Sequence, residues 1–213
     1  MAIKIYFFGP MDRSGRVRWL LAEMGVAYED HRLDYQKQEH KSEEYLKINP
    51  LGAIPAIEED GKVLTESGAI CVYLADKYQD KQLAPALDSP HRGKFMQWMF
   101  MIPASIEPIL NDGFKSSQLP EDERNKAFAQ IVEKFNPVLD MISDHLGEQD
   151  YFIDNKFSAV DVMLASTLNW ANNFKLIQDR PNVESYLARM KDREAAQKVG
   201  VFLPITPPSK DDE

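Results

Sequence analysis

The chain has a single cysteine, Cys71, and no second thiol to pair with it. An intramolecular disulfide and a thiolate metal cluster are both excluded. Cys71 lies in the apolar run Ala69-Ile70-Cys71-Val72, which reads as a small buried hydrophobe rather than a nucleophile. Positive charge is also scarce: 25 Lys and Arg stand against 34 Asp and Glu, for a net charge of −9. That balance disfavours non-specific binding to nucleic acid. No apolar run reaches the roughly 20 residues needed to span a bilayer. The opening residues Met1-Ala2-Ile3-Lys4 carry no basic segment followed by an apolar one. A cytoplasmic protein without membrane or nucleic-acid partners is expected.

What is present is most concentrated in residues 49–70. Asn49-Pro50-Leu51-Gly52-Ala53-Ile54-Pro55-Ala56-Ile57 and Lys62-Val63-Leu64 are short strand-like runs separated by Glu-Asp-Gly, which favours a hairpin. Pro55 cannot donate to a ladder, so it belongs at a strand start or an edge. A cis bond before it would leave the Ile54 backbone free to pair with an extended peptide, and an ordinary trans edge proline is the alternative. Thr65-Glu66-Ser67 precedes the helical pattern Ile70, Leu74, Tyr78, placing polar groups at a helix N-terminus suited either to capping or to binding an anion.

Upstream, residues 3–8 read as a buried strand ended by Gly9-Pro10. A helix follows, which Asp12 or Ser14 can cap, with Val17, Leu20, Leu21 and Met24 on one face before Gly25 stops it. Residues 26–33 alternate as a second strand, and a short helix is expected over 42–47. The resulting β-α-β, β-β-α order is that of a thioredoxin-like domain. Residues 79–90 lack sustained periodicity and read as a linker.

Beyond residue 91 strand signals nearly vanish. Phe95, Trp98, Met99 and Ile102 form a helical stripe that Pro103 and Pro108 should bend or divide. Residues 121–146 make a long helix ended by Gly147. Phe157-Ser158-Ala159-Val160-Asp161 matches a capping box with Asp in place of Glu, so Asp161 has a structural role, and the helix it opens, 159–173, should be buried. A further helix covers 181–191. The expected organisation is an α/β thioredoxin-like domain over 1–80, a linker over 81–90, an all-helical domain over 91–204 and a loose tail over 205–213.

This arrangement resembles the cytosolic glutathione transferases. The residues that carry the resemblance are the run from Arg18-Trp19-Leu20-Leu21 to Gly25-Val26, Asn49-Pro50-Leu51-Gly52-Ala53-Ile54-Pro55, Thr65-Glu66-Ser67-Gly68-Ala69-Ile70, Tyr73-Leu74-Ala75 and the Ser158 to Asp161 box. It implies glutathione as co-substrate, no metal, and a homodimer. Ile54 and Pro55 would hold the cysteinyl backbone, and Glu66 and Ser67 the γ-glutamyl ammonium and carboxylate. His40 or Lys41 matches the region that contacts the glycyl carboxylate, and both also read as solvated loop side chains.

The thiol-activating position departs from the pattern. Where many members carry Ser or Cys, six residues before the position matched by Val17, this chain has Met11, which offers no hydrogen bond donor. Tyr6 resembles the sulfur-contacting tyrosine of other classes, and reads equally as a core strand aromatic. Ser14 sits where a helix dipole would favour a thiolate, and reads equally as a cap. Met11, Phe8, Trp98, Ile102, Ile106 and Phe114 are expected to wall the site of a small hydrophobic electrophile. The implied activity is conjugation of glutathione to that electrophile. Glutathione-dependent reduction of peroxides or disulfides, and a non-catalytic ligand-binding or regulatory role, are the alternatives.

Overall fold

A computed structural model describes residues 3–9, 12–116 and 118–203. Met11 and the expected tail over 205–213 lie outside these residues. In chain order the elements are β1 (Ile3–Phe7), α1 (Ser14–Met24), β2 (Tyr28–Arg32), α2 (Glu43–Ile48), β3 (Ala56–Glu59), β4 (Lys62–Thr65), α3 (Ser67–Lys77), α4 (Arg92–Met101), α5 (Glu107–Ser116), α6 (Glu121–Leu146), α7 (Ala159–Asn173), α8 (Pro181–Lys191) and α9 (Glu194–Val199). The described residues divide into two compact units: those up to Ile70 together with 193–203, and those within Cys71–Asp192.

The first unit is built on a four-stranded mixed sheet of order β2-β1-β3-β4. β1 is parallel to β2 and antiparallel to β3, with Tyr6 opposite Ala56 and Lys4 opposite Glu58. Strand alternation then fixes the faces. Ile3 and Ile5 point to one side, while Tyr6 joins Leu33, Tyr45 and Ala56 in a buried cluster on the other. The β3–β4 hairpin turns through Asp60 and Gly61, both at positive φ, as a tight two-residue connection requires. Ser42 caps α2, its Oγ accepting from the Tyr45 N–H at 3.2 Å.

Among the described residues, those from Arg193 to Leu203 group with the sheet unit. The cause is local: the Arg193 guanidinium grips Glu23 of α1 through two bonds of 2.6 and 2.8 Å, and Glu23 also accepts from the Trp19 indole at 2.8 Å. Phe202 meets the Trp19 ring edge-on at 5.2 Å. A bidentate charge pair between residues so far apart in sequence has no local sequence signature.

The second unit is entirely helical in its regular elements. Pro103 and Pro108 fall where α4 passes into α5 through a π-turn, Ile102–Ile106. Each proline removes a donor and crowds the preceding turn, and the wider π-turn accommodates both. At the start of α7, Asp161 is completely buried and accepts four hydrogen bonds: from the Phe152 and Ser158 N–H groups, the Ser158 hydroxyl and the Tyr186 hydroxyl, at 2.8 to 3.2 Å. The expected capping box is thus present, with Asp reaching back to the Ser158 N–H. Cys71 is fully buried.

Burial pushes the Asp161 carboxyl up to about 6, against the hydrogen bonds that favour its charge. Because this value exceeds the ordinary 3.8 of an unfolded chain, the group's protonated state stabilises the fold below pH 3.8, and that contribution is lost as pH rises through about 6. Asp161→Asn should flatten this part of the stability–pH curve. It should also lower stability at pH 7 by about 2–4 kcal/mol, because an amide cannot accept from all four donors. Urea denaturation across pH 4–8 tests both statements.

Candidate functional site

The motif at residues 49–55 is held by its own polar groups. The Ala53 carbonyl accepts from the Tyr45 hydroxyl at 2.6 Å and from Asn49 Nδ2 at 2.7 Å, while Asn49 Oδ1 accepts from the Leu51 N–H at 3.1 Å. Burial raises the Tyr45 hydroxyl to about 12, so it remains a donor over the whole physiological range. The Ile54–Pro55 bond is cis, and β3 begins at Ala56, so Ile54 precedes the ladder. Its side chain packs against the buried cluster of Tyr6, Leu33, Tyr45 and Ala56.

Gly52 ties His40 and Lys41 to this loop. Its φ is +59°, and a Cβ there would stand 2.6 Å from the His40 carbonyl oxygen and 2.7 Å from Lys41 Nζ. Lys41 Nζ donates to the Leu51 carbonyl at 3.2 Å. His40 is buried, its ring packed against Tyr35 and Phe8. The loop residues expected at the glycyl end are thus brought beside the Ile54 segment.

A second group forms where α1 and α3 begin. Glu66 is exposed and held at φ +68°, a conformation that non-glycine residues seldom adopt. Ser67 opens α3 and is buried; its Oγ lies 3.4 Å from Arg16 Nη1 of α1. Arg16 is only 4% exposed. Sequence reasoning did not select it. The available signal is that Arg16 lies four residues before Leu20 and eight before Met24, a cation in line with a buried helical face. Gly52, whose missing side chain is its contribution, was part of a motif but had no assigned role.

Ser14 stands at the start of α1, yet it is not the cap. The N-cap position is Arg13, without a side-chain cap, and the Asp12 carboxylate accepts from the N–H groups of Ser14, Phe8 and Gly9 at 2.6, 2.7 and 2.9 Å. The Ser14 Oγ is fully buried with no hydrogen-bond partner among the described residues. Tyr6 differs: its hydroxyl donates to Glu58 Oε2 at 3.0 Å, two positions along the neighbouring strand on the same face. Burial raises the Tyr6 hydroxyl above its ordinary value, partly countered by Lys4.

Of the residues expected to wall an electrophile site, Phe8 is partly buried in the first unit. Trp98, Ile102 and Ile106 are 2, 0 and 1% exposed in the interior of the second, Trp98 packing edge-on against Phe152 at 4.5 Å. The helical stripe that carries them faces the core of its own unit. Phe114 is 59% exposed. No group of three or more His, Cys, Asp and Glu side chains converges among the described residues, and no helix there is long and apolar enough to cross a membrane.

A mixed sheet with a cis-proline loop and polar helix starts, followed by an all-helical unit, defines a thioredoxin-like protein with a helical extension. The N-terminal-domain model of glutathione S-transferases matches residues 1–76, and the C-terminal-domain model matches residues 125–189. Glutathione S-transferase hmp2 of Hypomyces subiculosus is 30% identical over 205 residues, covering 91% of this chain and 95% of the relative. Among solved structures, poplar glutathione transferase F1, in a variant with a serine changed to cysteine, is similar with a TM-score of 0.82 and 28% identity, over 95% of this chain and 98% of that one. A glutathione transferase family member from Pseudomonas fluorescens Pf-5, with two glutathione bound, has the same TM-score and identity over 93% of this chain and 92% of its own. The chain belongs to the glutathione transferase family.

Gly52→Ala should cost about 2 kcal/mol or more, combining the left-handed conformation with contacts at Lys41 and the His40 carbonyl. Thermal or urea unfolding measures this, and a loss under 0.5 kcal/mol would mean that the loop moves aside freely.

Proposed function

We propose that this protein binds glutathione, activates its thiol and conjugates it to small hydrophobic electrophiles. The observation that carries the reading is the group formed by Glu66, Ser67 and Arg16. A carboxylate held in a costly backbone conformation, next to a buried hydroxyl and a guanidinium, complements both charges of an α-amino acid head. The γ-glutamyl end of glutathione is such a head. Ile54 would pair its backbone with the cysteinyl part, and His40 and Lys41 would meet the glycyl carboxylate.

For the thiol we favour Ser14 over Tyr6. An unpartnered buried hydroxyl costs free energy that a sulfur acceptor would recover, and its place at the first turn of α1 favours a thiolate through the helix dipole. The Tyr6 hydroxyl already has an acceptor in Glu58. A donor to the sulfur lowers the thiol's pKa and increases the thiolate available near neutral pH, the proton passing to solvent; the thiolate then forms the S–C bond as the electrophile's leaving group, a halide in the assay below, departs with its bonding pair. The buried Cys71 leaves glutathione's own sulfur as the reacting thiol. The family resemblance extends the proposal to a homodimer in the cytoplasm with a detoxifying role.

Three variants test the assignment through turnover with an aromatic halide and glutathione affinity by calorimetry. Ser14→Ala should lower kcat about a hundredfold with glutathione affinity changed less than about threefold. Tyr6→Phe should leave kcat within about threefold; the reverse pattern would transfer the role to Tyr6. Glu66→Ala should weaken glutathione binding about ten- to a hundredfold, and undiminished affinity would remove Glu66 from the site. Turnover of peroxide without turnover of any halide would replace conjugation by reduction.

A further inference from the structure

The rings of Phe8, Tyr35 and His40 in the first unit pack against one another. Tyr35 and His40 are stacked, their planes 6° apart and their centroids 5.1 Å apart. Phe8 meets both edge-on, at 5.2 Å from each. Tyr35 is 63% exposed on a polar loop, where an isolated tyrosine would have little reason to be ordered. Its ring is therefore occupied on one side by His40 and open on the other.

The condition of His40 gives the stack a purpose. A ligand-binding histidine is ordinarily oriented by a hydrogen bond from its second ring nitrogen to a carboxylate or a carbonyl. His40 Nδ1 is buried and makes no such bond among the described residues. With that anchor missing, the rotation of the imidazole is governed by its two aromatic neighbours. A stacked phenol restricts the ring plane.

We propose that Tyr35, supported by Phe8, is a positioning residue that fixes the His40 ring and presents Nε2 to the glycyl carboxylate of glutathione. The proposal rests on the glutathione reading above. Tyr35 acts through His40 and touches no reacting atom. Its effect is therefore confined to the part of the affinity that depends on glycine. Removing the ring leaves the backbone turn intact, since the bond from the Gln38 N–H to the Tyr35 carbonyl does not involve the side chain.

The test compares dissociation constants for glutathione and for γ-glutamylcysteine, which lacks the glycine, in the full chain and in Tyr35→Ala and Tyr35→Phe. The parent protein should prefer glutathione. Tyr35→Ala should reduce that preference about three- to tenfold, while Tyr35→Phe keeps it. Affinity for γ-glutamylcysteine and kcat at saturating glutathione should stay the same in both variants. Undiminished preference in Tyr35→Ala overturns the proposal, as does a parent protein that binds the two ligands equally. Binding of neither ligand by the parent overturns the glutathione reading itself, and the positioning role with it.

Discussion

The Ala53 carbonyl accepts from the Tyr45 hydroxyl and the Asn49 amide, and the geometry of the candidate site depends on that pair of hydrogen bonds. Both donors come from α2 and its C-terminal end, so the helix and the loop move as one body. The Tyr45 hydroxyl stays protonated because it is buried, and the amide of Asn49 has no charge to lose. The strand that begins at Ala56 therefore starts from a fixed point, with Ile54 held at the entrance to the ladder. Gly52 lets the same loop pass close to His40 and Lys41, a distance that any side chain would prevent.

Polar groups elsewhere in the first unit divide by whether they are already satisfied. Tyr6 has Glu58 across the sheet, and Asp12 is saturated by three backbone N–H groups. Ser14 Oγ and His40 Nδ1 are buried without partners. An unsatisfied buried group opposes folding by about 1–3 kcal/mol, so its persistence needs a compensating use. In the proposed reading, Ser14 would meet the sulfur of glutathione, and the second ring nitrogen of His40 its glycyl carboxylate.

Helix α1 links these local facts to the end of the chain. Its first turn carries Ser14 and Arg16, and further along it Trp19 and Glu23 are fastened by Phe202 and Arg193. A bidentate guanidinium–carboxylate pair that is mostly buried resists rotation of the helix about its axis. The orientation of Arg16 toward Ser67 is supported by residues almost two hundred positions away. In the second unit, Asp161 performs a comparable service for α7 by collecting four donors at one helix start.

The order of elements was legible from local chemistry, because each signal acts within a few residues: helix periodicity bounded α6, α7 and α8, the Ser158–Asp161 spacing announced a cap, and Glu-Asp-Gly marked a hairpin. The Asn49 to Pro55 and Glu66-Ser67 motifs likewise marked a proline loop ahead of β3 and a polar helix start. Contacts between distant residues were decided only by the tertiary structure. It directed the Tyr6 hydroxyl to Glu58, gathered the N–H groups of Ser14, Phe8 and Gly9 on the Asp12 carboxylate, and buried Trp98, Ile102 and Ile106 in their own unit. It also set Arg16 beside Ser67, laid Tyr35 on His40 and fastened Arg193 to Glu23 of α1. A sequence specifies which groups can donate, accept or pack. Which of them meet depends on how the faces of separate elements are turned toward one another, and periodicity alone does not carry that information.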